Sequence, residues 1–165
     1  DIRPSRGLGD VYKRQAMEGI SAYFAAVRGT DEDFARIQAC LKNISEEQTK
    51  KNVEAEAAAV MQFLIALTEA AHNVVLLHIV RSLAPLLEQN VLQNLKLLHR
   101  RDEVVEKVSK HRANIVDAIV SGQPEKAREM SHSHLAYIEE TLLDLSREES
   151  RRERSLRRIQ QGNDS

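Results

Sequence analysis

The sequence is poor in aromatic residues and in cysteine. Tryptophan is absent, phenylalanine and tyrosine together make up only 4% of the 165 residues, and Cys40 is the single cysteine. One cysteine excludes an intrachain disulfide and fits a reducing compartment. Because so few aromatic side chains are available, we predict an aliphatic core of the kind found in helical bundles.

Long hydrophobic runs and an excess of one charge are also lacking. No apolar run approaches 18 residues, so the sequence predicts no transmembrane span, and no signal peptide is visible. The 24 basic and 25 acidic residues nearly cancel, which argues against a whole-domain surface for nucleic acid or membranes. We therefore expect a cytoplasmic protein that does not bind membranes.

Several motifs of enzymes and metal sites are missing. The sequence contains no glycine-rich phosphate loop, no H-E-x-x-H motif and no pair of cysteines. No catalytic residue can therefore be named, and we predict that the chain is not an enzyme.

The strongest helical pattern lies between Glu54 and Leu98, in a chain that is 42% hydrophobic. Two apolar stripes with helical spacing flank the sequence Ala-His-Asn, in which Asn73 can cap the second helix. Helices joined by so short a break fold back on each other, so we predict a central helical hairpin. The stripes are Val53, Ala57, Val60, Leu64, Leu67 and Ala71, then Leu76, Ile79, Val80, Leu83 and Leu87.

Two helices are predicted before the hairpin. Residues 16–27 have an apolar face made of Met17, Ile20, Tyr23 and Phe24. Thr30, with Glu32 and Asp33 just after it, is a typical start for the next helix. That helix carries Phe34, Ile37, Leu41 and Ile44 on one face, and we expect a polar connection at residues 45–51.

Two more helices are predicted after the hairpin. We expect a kink at Pro85, a turn at residues 99–102, a helix that Gly122 ends, and a last helix that begins near Pro124. Their stripes are Val104, Val108, His111, Ile115 and Ala118, then Ala127, His134, Ile138, Leu142 and Leu145. The predicted fold class is all-α, an antiparallel bundle of six to seven helices, followed by a mixed-charge tail at residues 147–158.

The first fifteen residues, DIRPSRGLGDVYKRQ, do not fit this pattern. They mix proline, glycine and basic residues without an amphipathic period, and they resemble a translated sequencing adapter. We expect segment 1–15 to be foreign to the fold and the native sequence before about residue 16 to be missing.

Two histidines stand out because each occupies an apolar stripe, His111 in one helix and His134 in the next. A buried imidazole requires hydrogen-bond partners, a metal or an anion, so these two residues are the candidate site. Two ligands alone are too few for a zinc site, which takes three or four protein ligands. The other histidines, at positions 72, 78, 99 and 132, are expected to have no role in a site.

Two further features have structural explanations. Cys40 lies three residues after Ile37 and has no activating partner in the sequence, so we expect it to pack against the core. The segment SREESRRERSLRR carries glutamates at helical spacing from its arginines. This pattern favours a solvated, salt-bridged helix end over a patch for nucleic acid.

Four segments together resemble a known family: Glu18, EAAHN ending at Asn73, HRANIVDAIVSG from His111 to Gly122, and His134-Leu135. From about Ala16 to its end, the sequence is similar to the effector-binding C-terminal domain (FCD) of the FadR branch of the GntR transcription regulators. Within this branch, the strings EAAHNVVLLH, LEQNVLQNLKLL, SHLAYIEE and LSREESRRERSLRR resemble repressors of the pyruvate dehydrogenase complex.

The resemblance implies a homodimeric repressor that binds pyruvate or a similar small 2-oxo acid. It implies an effector-binding and dimerisation domain at residues 16–148 and a charged helix end and tail at residues 149–165. Operator DNA would be bound only by an N-terminal winged helix, which we expect to be missing from this chain.

In many family members a divalent metal anchors the effector through an aspartate, a histidine four residues later and two further histidines. The two later histidines map onto His111 and His134, whereas the other two ligands map onto Val60 and Leu64, which cannot bind a metal. We therefore expect no cofactor and no tightly bound metal, with the histidines binding the carboxylate directly. The family's effector-facing arginine aligns with Arg14, inside segment 1–15.

Two other functions stay open at this point. The chain could be a metal-binding helical bundle that uses His111, His134 and nearby carboxylates, which a measurement of metal content would reveal. It could also be a plain helical interaction module with structural histidines, and pyruvate would then leave its melting temperature unchanged.

Overall fold

The computed structural model describes the backbone of residues 5–163 and the side chains of residues 14 and 16–159. Over this backbone range the chain forms six helices and no strand. The helices are α1 (Ser5–Arg28), α2 (Asp31–Thr49), α3 (Val53–Ala70), α4 (Val74–Leu98), α5 (Asp102–Val120) and α6 (Pro124–Asn163). The predicted all-α bundle is therefore confirmed. In the described range, no helix combines the length and the apolar character that crossing a bilayer requires.

The predicted hairpin is formed by α3 and α4. The backbone turns between them at His72, whose φ of 49° lies in the left-handed region. Asn73 then caps α4, because its side-chain oxygen accepts a hydrogen bond of 3.0 Å from the backbone N–H of Leu76. The cap satisfies one of the free N–H groups at the start of the helix, as the sequence predicted.

Helix α3 is the central element of the bundle. Its apolar stripe is buried as predicted, and it packs against α1, α2 and α4. Met61 and Leu64 of α3 meet Leu76 and Val80 of α4 in a shared apolar cluster. The prediction was wrong for Ile79, which is 43% exposed and does not belong to this cluster.

Helix α1 buries small side chains where larger ones were predicted. Ser21, Ala22 and Ala25 are fully buried, whereas Ile20 is 43% exposed and was wrongly assigned to the buried face. Small residues permit close approach to the neighbouring helices. A Cβ added at Gly19 would collide with the imidazole of His132 on α6.

The structure extends two helices beyond their predicted ends. Thr30 starts α2 with a full capping box shared with Asp33, as expected, but α2 continues to Thr49 and leaves only residues 50–52 as the connection. The segment predicted as a tail, residues 147–158, also stays helical, because α6 runs to Asn163. Its first turns form ion pairs with the turn between α4 and α5: Arg100 with Glu149 at 2.9 Å, and Arg101 with Glu148.

The remaining predicted boundaries agree with the structure. Helix α4 continues through Pro85, the turn follows at residues 99–101, and Gly122 ends α5 with a φ of 66°. Pro124 is the first residue of α6. Of segment 1–15, the first four residues and every side chain except that of Arg14 lie outside the described part. From Ser5 onwards the backbone belongs to α1, eleven residues before the predicted start at Ala16.

Candidate functional site

A small cavity lies inside the bundle between α1, α3, α5 and α6. Its volume of about 20 Å³ leaves room for about one water molecule. The α3 side of the cavity is entirely apolar, while the other helices supply polar groups. The apolar lining is Val60, Phe63, Leu64, Leu67 and Ile115, and the polar lining is Arg14, Glu18, Arg112, Ser131 and His134.

Arg112 of α5 is the most unusual residue of this cavity. Its side chain is buried, with 4% exposure, and its Nη1 atom has no hydrogen-bond partner among the described residues. Burial, and then the nearby Arg14, lower the pKa of Arg112 to about 10, although Glu56 and Glu18 oppose the shift. A buried guanidinium with an unused donor is a strong binding group for an anion.

His134 of α6 also lines the cavity and is buried. Its Nδ1 atom lacks a hydrogen-bond partner in the described part of the chain. Burial lowers the pKa of His134 well below its ordinary value, and the positive charges of Arg112 and Arg14 and the neighbouring His111 lower it further. The imidazole is therefore neutral at neutral pH. One of its nitrogens donates a hydrogen bond, and the other accepts one.

The structure brings His111 next to His134, but His111 is not part of the cavity lining. The centroids of the two rings are 5.7 Å apart, with the ring planes nearly perpendicular. His111 also packs against the ring of Tyr137 at 5.2 Å, and it faces a groove between α5 and α6 that Lys126 and Glu129 line as well. Burial, and then the charge of Lys107, lower the pKa of His111.

Val60 and Leu64, which the resemblance places at metal-ligand positions, form the wall of the cavity that His134 also lines. Among the described side chains, no three His, Cys, Asp or Glu residues lie close enough together to hold one metal ion. Two imidazoles are fewer than the three or four protein ligands of a typical site. The donor set around this cavity therefore does not fit the metal that the resemblance implies.

Arg14 reaches the cavity from α1. Its Nε atom lies 2.9 Å from Oε1 of Glu18, one helical turn away, and both side chains are largely buried. Glu18 thus neutralises much of the charge of Arg14. In Arg112, by contrast, the buried Nη1 atom has no hydrogen-bond partner among the described residues.

A second polar cluster lies beside the cavity and was not predicted. Glu56 of α3 is completely buried, and its Oε2 atom lies 2.7 Å from Nε2 of His99. Its Oε1 atom accepts a hydrogen bond of 3.3 Å from Gln48, whose own side-chain oxygen accepts one of 3.0 Å from Ser109. His99, for which no role in a site was expected, is thus mostly buried and pairs with a buried carboxylate.

The other histidines and Cys40 do not belong to the lining of the cavity. His72 is exposed and lies 2.8 Å from Asp33, while His78 and His132 are exposed. Cys40 is half-buried and packs against the core, and burial raises the pKa of its thiol. Arg112 was missed as a site residue, although it falls in helical register between the buried Val108 and Ile115. That register was the signal that could have identified it.

Comparison with protein families and curated proteins points to one class. Residues 11–137 match the model of the FCD domain. The chain is 27% identical over 144 residues to the putative L-lactate dehydrogenase operon regulatory protein of Escherichia coli K12. It is 28% identical over 138 residues to the Glc operon transcriptional activator of the same organism. These alignments cover 87% and 82% of this chain, and in both cases 54% of the relative.

The chain thus spans about half the length of the curated relatives that it matches. By their names these relatives regulate transcription and are not enzymes, which agrees with the prediction that this chain is not an enzyme. Among solved structures, E. coli McbR/YncC superposes with a TM-score of 0.64 at 16% identity, over 87% of this chain and 70% of that one. At such low identity the superposition supports the fold alone.

Proposed function

The chain belongs to the FCD domain family, and from this premise we propose that it is the effector-sensing domain of a GntR/FadR-type transcriptional repressor. The effector is a small carboxylate, bound in the cavity between α1, α3, α5 and α6. One observation carries this assignment: the buried Nη1 of Arg112 and the buried Nδ1 of His134 both lack partners among the described side chains, and both residues line the same cavity. A carboxylate can accept hydrogen bonds from both residues, and the guanidinium neutralises its charge.

Recognition of the carboxylate in this proposal is independent of metal. In relatives that use a metal, the ion supplies the positive charge that faces the effector. Here Val60 and Leu64 remove two ligands, and Arg112 supplies a permanent positive charge in the same cavity. His134, Ser131 and Arg14 are the further polar groups in reach of a bound acid.

Pyruvate, or another small 2-oxo acid, is the effector that we propose. The strings that resemble repressors of the pyruvate dehydrogenase complex support it, and by its name one relative serves an L-lactate dehydrogenase operon. The apolar wall of Val60, Phe63 and Leu64 fits the methyl end of such an acid. The single guanidinium of Arg112 fits one carboxylate better than two.

Binding must enlarge the cavity. Its volume of about 20 Å³ holds about one water molecule, whereas pyruvate has six non-hydrogen atoms. The ligand therefore stabilises a conformation in which the surrounding helices lie farther apart. Such a shift between two conformations is the means by which an effector changes the affinity of an attached DNA-binding domain.

A homodimer is part of the same proposal, and helix α4 offers a surface for it. Val75, Ile79 and Leu86 are exposed on α4, with exposures of 70%, 43% and 58%. Between Ser82 and Leu95 the only charged residue is Glu88, and cores of protein interfaces are likewise depleted of charge.

Sedimentation velocity tests this surface. Leu86→Asp should yield monomers, whereas Leu156→Asp, at a similarly exposed leucine of α6, should leave the dimer intact.

Calorimetric titration with pyruvate in the presence of a chelator tests the proposed function. We expect saturable binding of one pyruvate per chain, with the same affinity after manganese or zinc is added. Binding that requires the metal would contradict the metal-independent site. The absence of any binding by small 2-oxo or 2-hydroxy acids, together with an unchanged melting temperature, would contradict the sensing function itself.

A further inference from the structure

Glu56 has an unusual position for a glutamate. It is completely buried in α3, one helical turn before Val60, on the same face that forms the wall of the cavity. A carboxylate without solvent contact is costly unless charges and hydrogen bonds compensate it. Its two hydrogen-bonding partners are His99, which is partly exposed, and the neutral amide of Gln48.

This carboxylate is connected to α5, the helix that carries Arg112. Gln48 donates to Glu56 and accepts from Ser109, which lies three residues before Arg112 and therefore on the same side of α5. Glu56 and Arg112, two buried side chains of opposite charge, are thus connected through Gln48 and Ser109 without a direct ion pair among the described contacts. The negative charge of Glu56 acts on Arg112, because it raises the pKa of the guanidinium against the effect of burial.

We propose that Glu56 is a positioning residue of the cavity, whose buried negative charge acts on the guanidinium of Arg112 from a distance and opposes the binding of an anionic ligand there. His99 regulates this effect, since its Nε2 atom lies 2.7 Å from Oε2 of the same carboxylate and attracts its charge. The effect on a carboxylate ligand rests on the proposed function. The action of Glu56 on Arg112 is a property of the unliganded chain and can be tested without any ligand.

The first test is nuclear magnetic resonance of the whole chain labelled with ¹⁵N-arginine. The guanidinium signal of Arg112 is identified by its loss in Arg112→Lys. We expect Glu56→Gln, which keeps the size of the side chain, to shift and broaden this signal, because the negative charge of Glu56 no longer acts on the guanidinium. Glu32→Gln, at an exposed glutamate, is the matched control and should leave the signal unchanged. An unchanged Arg112 signal in folded Glu56→Gln would overturn the proposal.

The second test is calorimetric titration with pyruvate and with pyruvamide, its uncharged analogue. Removal of one buried negative charge near the cavity should raise the affinity of Glu56→Gln for pyruvate about tenfold and leave pyruvamide unaffected. His99→Gln should act in the opposite direction and weaken pyruvate binding. If Glu56→Gln does not fold, the affinity of His99→Gln for pyruvate tests the proposal in its place. A purely structural role predicts equal changes for both ligands, and that result would contradict the proposal. If pyruvate does not bind the unmodified chain, the proposed function is wrong. The resonance experiment then still tests whether Glu56 acts on Arg112.

Discussion

His111 and His134 lie with their ring centroids 5.7 Å apart and their planes nearly perpendicular, yet only His134 lines the central cavity. Consecutive residues of a helix point about 100° apart, so the inward direction of Arg112 turns His111 towards the groove between α5 and α6. The cavity thus combines two arginines, Arg14 and Arg112, with one histidine where a pair of histidines was expected. This arrangement suits an anion better than a metal.

Replacement of Arg112 should therefore affect ligand binding more than replacement of His111. We expect Arg112→Gln to weaken pyruvate binding by about 10-fold to 100-fold, since a hydrogen bond to a charged group contributes about 1.5–3 kcal/mol. His111→Gln should change the affinity by less than about threefold. Calorimetric titration of the two variants makes the comparison, and a larger loss for His111→Gln would show that the ligand binds in the outer groove.

Restoration of the two missing ligands should create a metal site. The double variant Val60→Asp, Leu64→His places a carboxylate and an imidazole on the cavity wall beside His134 and His111. We expect about one zinc or manganese per chain to survive dialysis in the double variant and none in the unmodified chain. The single variant Val60→Asp adds only one ligand and should retain no metal after dialysis. A metal-free double variant would show that His111 cannot turn into the cavity.

The stability of the chain should depend on pH through His134. Its pKa in the folded chain is depressed, so between the ordinary value of 6.5 and that lower value the unfolded chain binds more protons. The free energy of unfolding should therefore fall as the pH decreases through this window, by up to about 1.4 kcal/mol per pH unit for one site. Above pH 7 the imidazole is neutral in both states and contributes nothing.

Melting curves between pH 7.5 and 5 check this prediction. We expect His134→Gln to melt with a shallower pH dependence than the unmodified chain, and His111, whose pKa is also lowered, to contribute in the same direction. The exposed His132 provides the control, since His132→Gln should keep the full dependence. If the melting temperature fell equally steeply with pH in the unmodified chain, His134→Gln and His132→Gln, His134 would become protonated without unfolding the core.

The cap of α4 should contribute measurably to stability. Asn73→Ala removes the acceptor for the N–H of Leu76, at the turn where α3 and α4 meet. We expect the free energy of unfolding in urea to fall by about 1 kcal/mol. Asn43→Ala, an exposed position within α2, should cost much less, because alanine is the better helix former there. Equal losses in both variants would argue against the cap.

The elements that could be predicted from the sequence are those that local interactions determine. The break at Ala-His-Asn, the cap at Asn73, the capping box at Thr30 and the left-handed Gly122 each depend on a few neighbouring residues. The stripe through Val60 and Leu64 was also predicted, because helical spacing alone reveals it. His134 was placed in the core by the same argument.

The polar interior could not be predicted in this way. Glu56 and His99 are 43 residues apart, and charged residues are usually interpreted as surface positions when sequence is the only information. The burial of Arg112, another charged residue, could not be predicted either, since it depends on the packing of α1, α3 and α6 around it. For α1 the search for large apolar residues selected Ile20, although close helix packing buries the small Ser21, Ala22 and Ala25.

Helix α6 joins the cavity to a distant end of the molecule. Ser131 and His134 near its start line the cavity, and its 40 residues continue as one helix, about 1.5 Å per residue, far beyond them. From His134 to Ile159 this rod extends about 37 Å, so a tilt of about 5° at the cavity displaces its far end by about 3 Å. The ion pairs of Arg100 and Arg101 with Glu149 and Glu148 join this part of α6 to the turn between α4 and α5. The length of α6 therefore converts a small tilt at the cavity into a larger displacement at its far end.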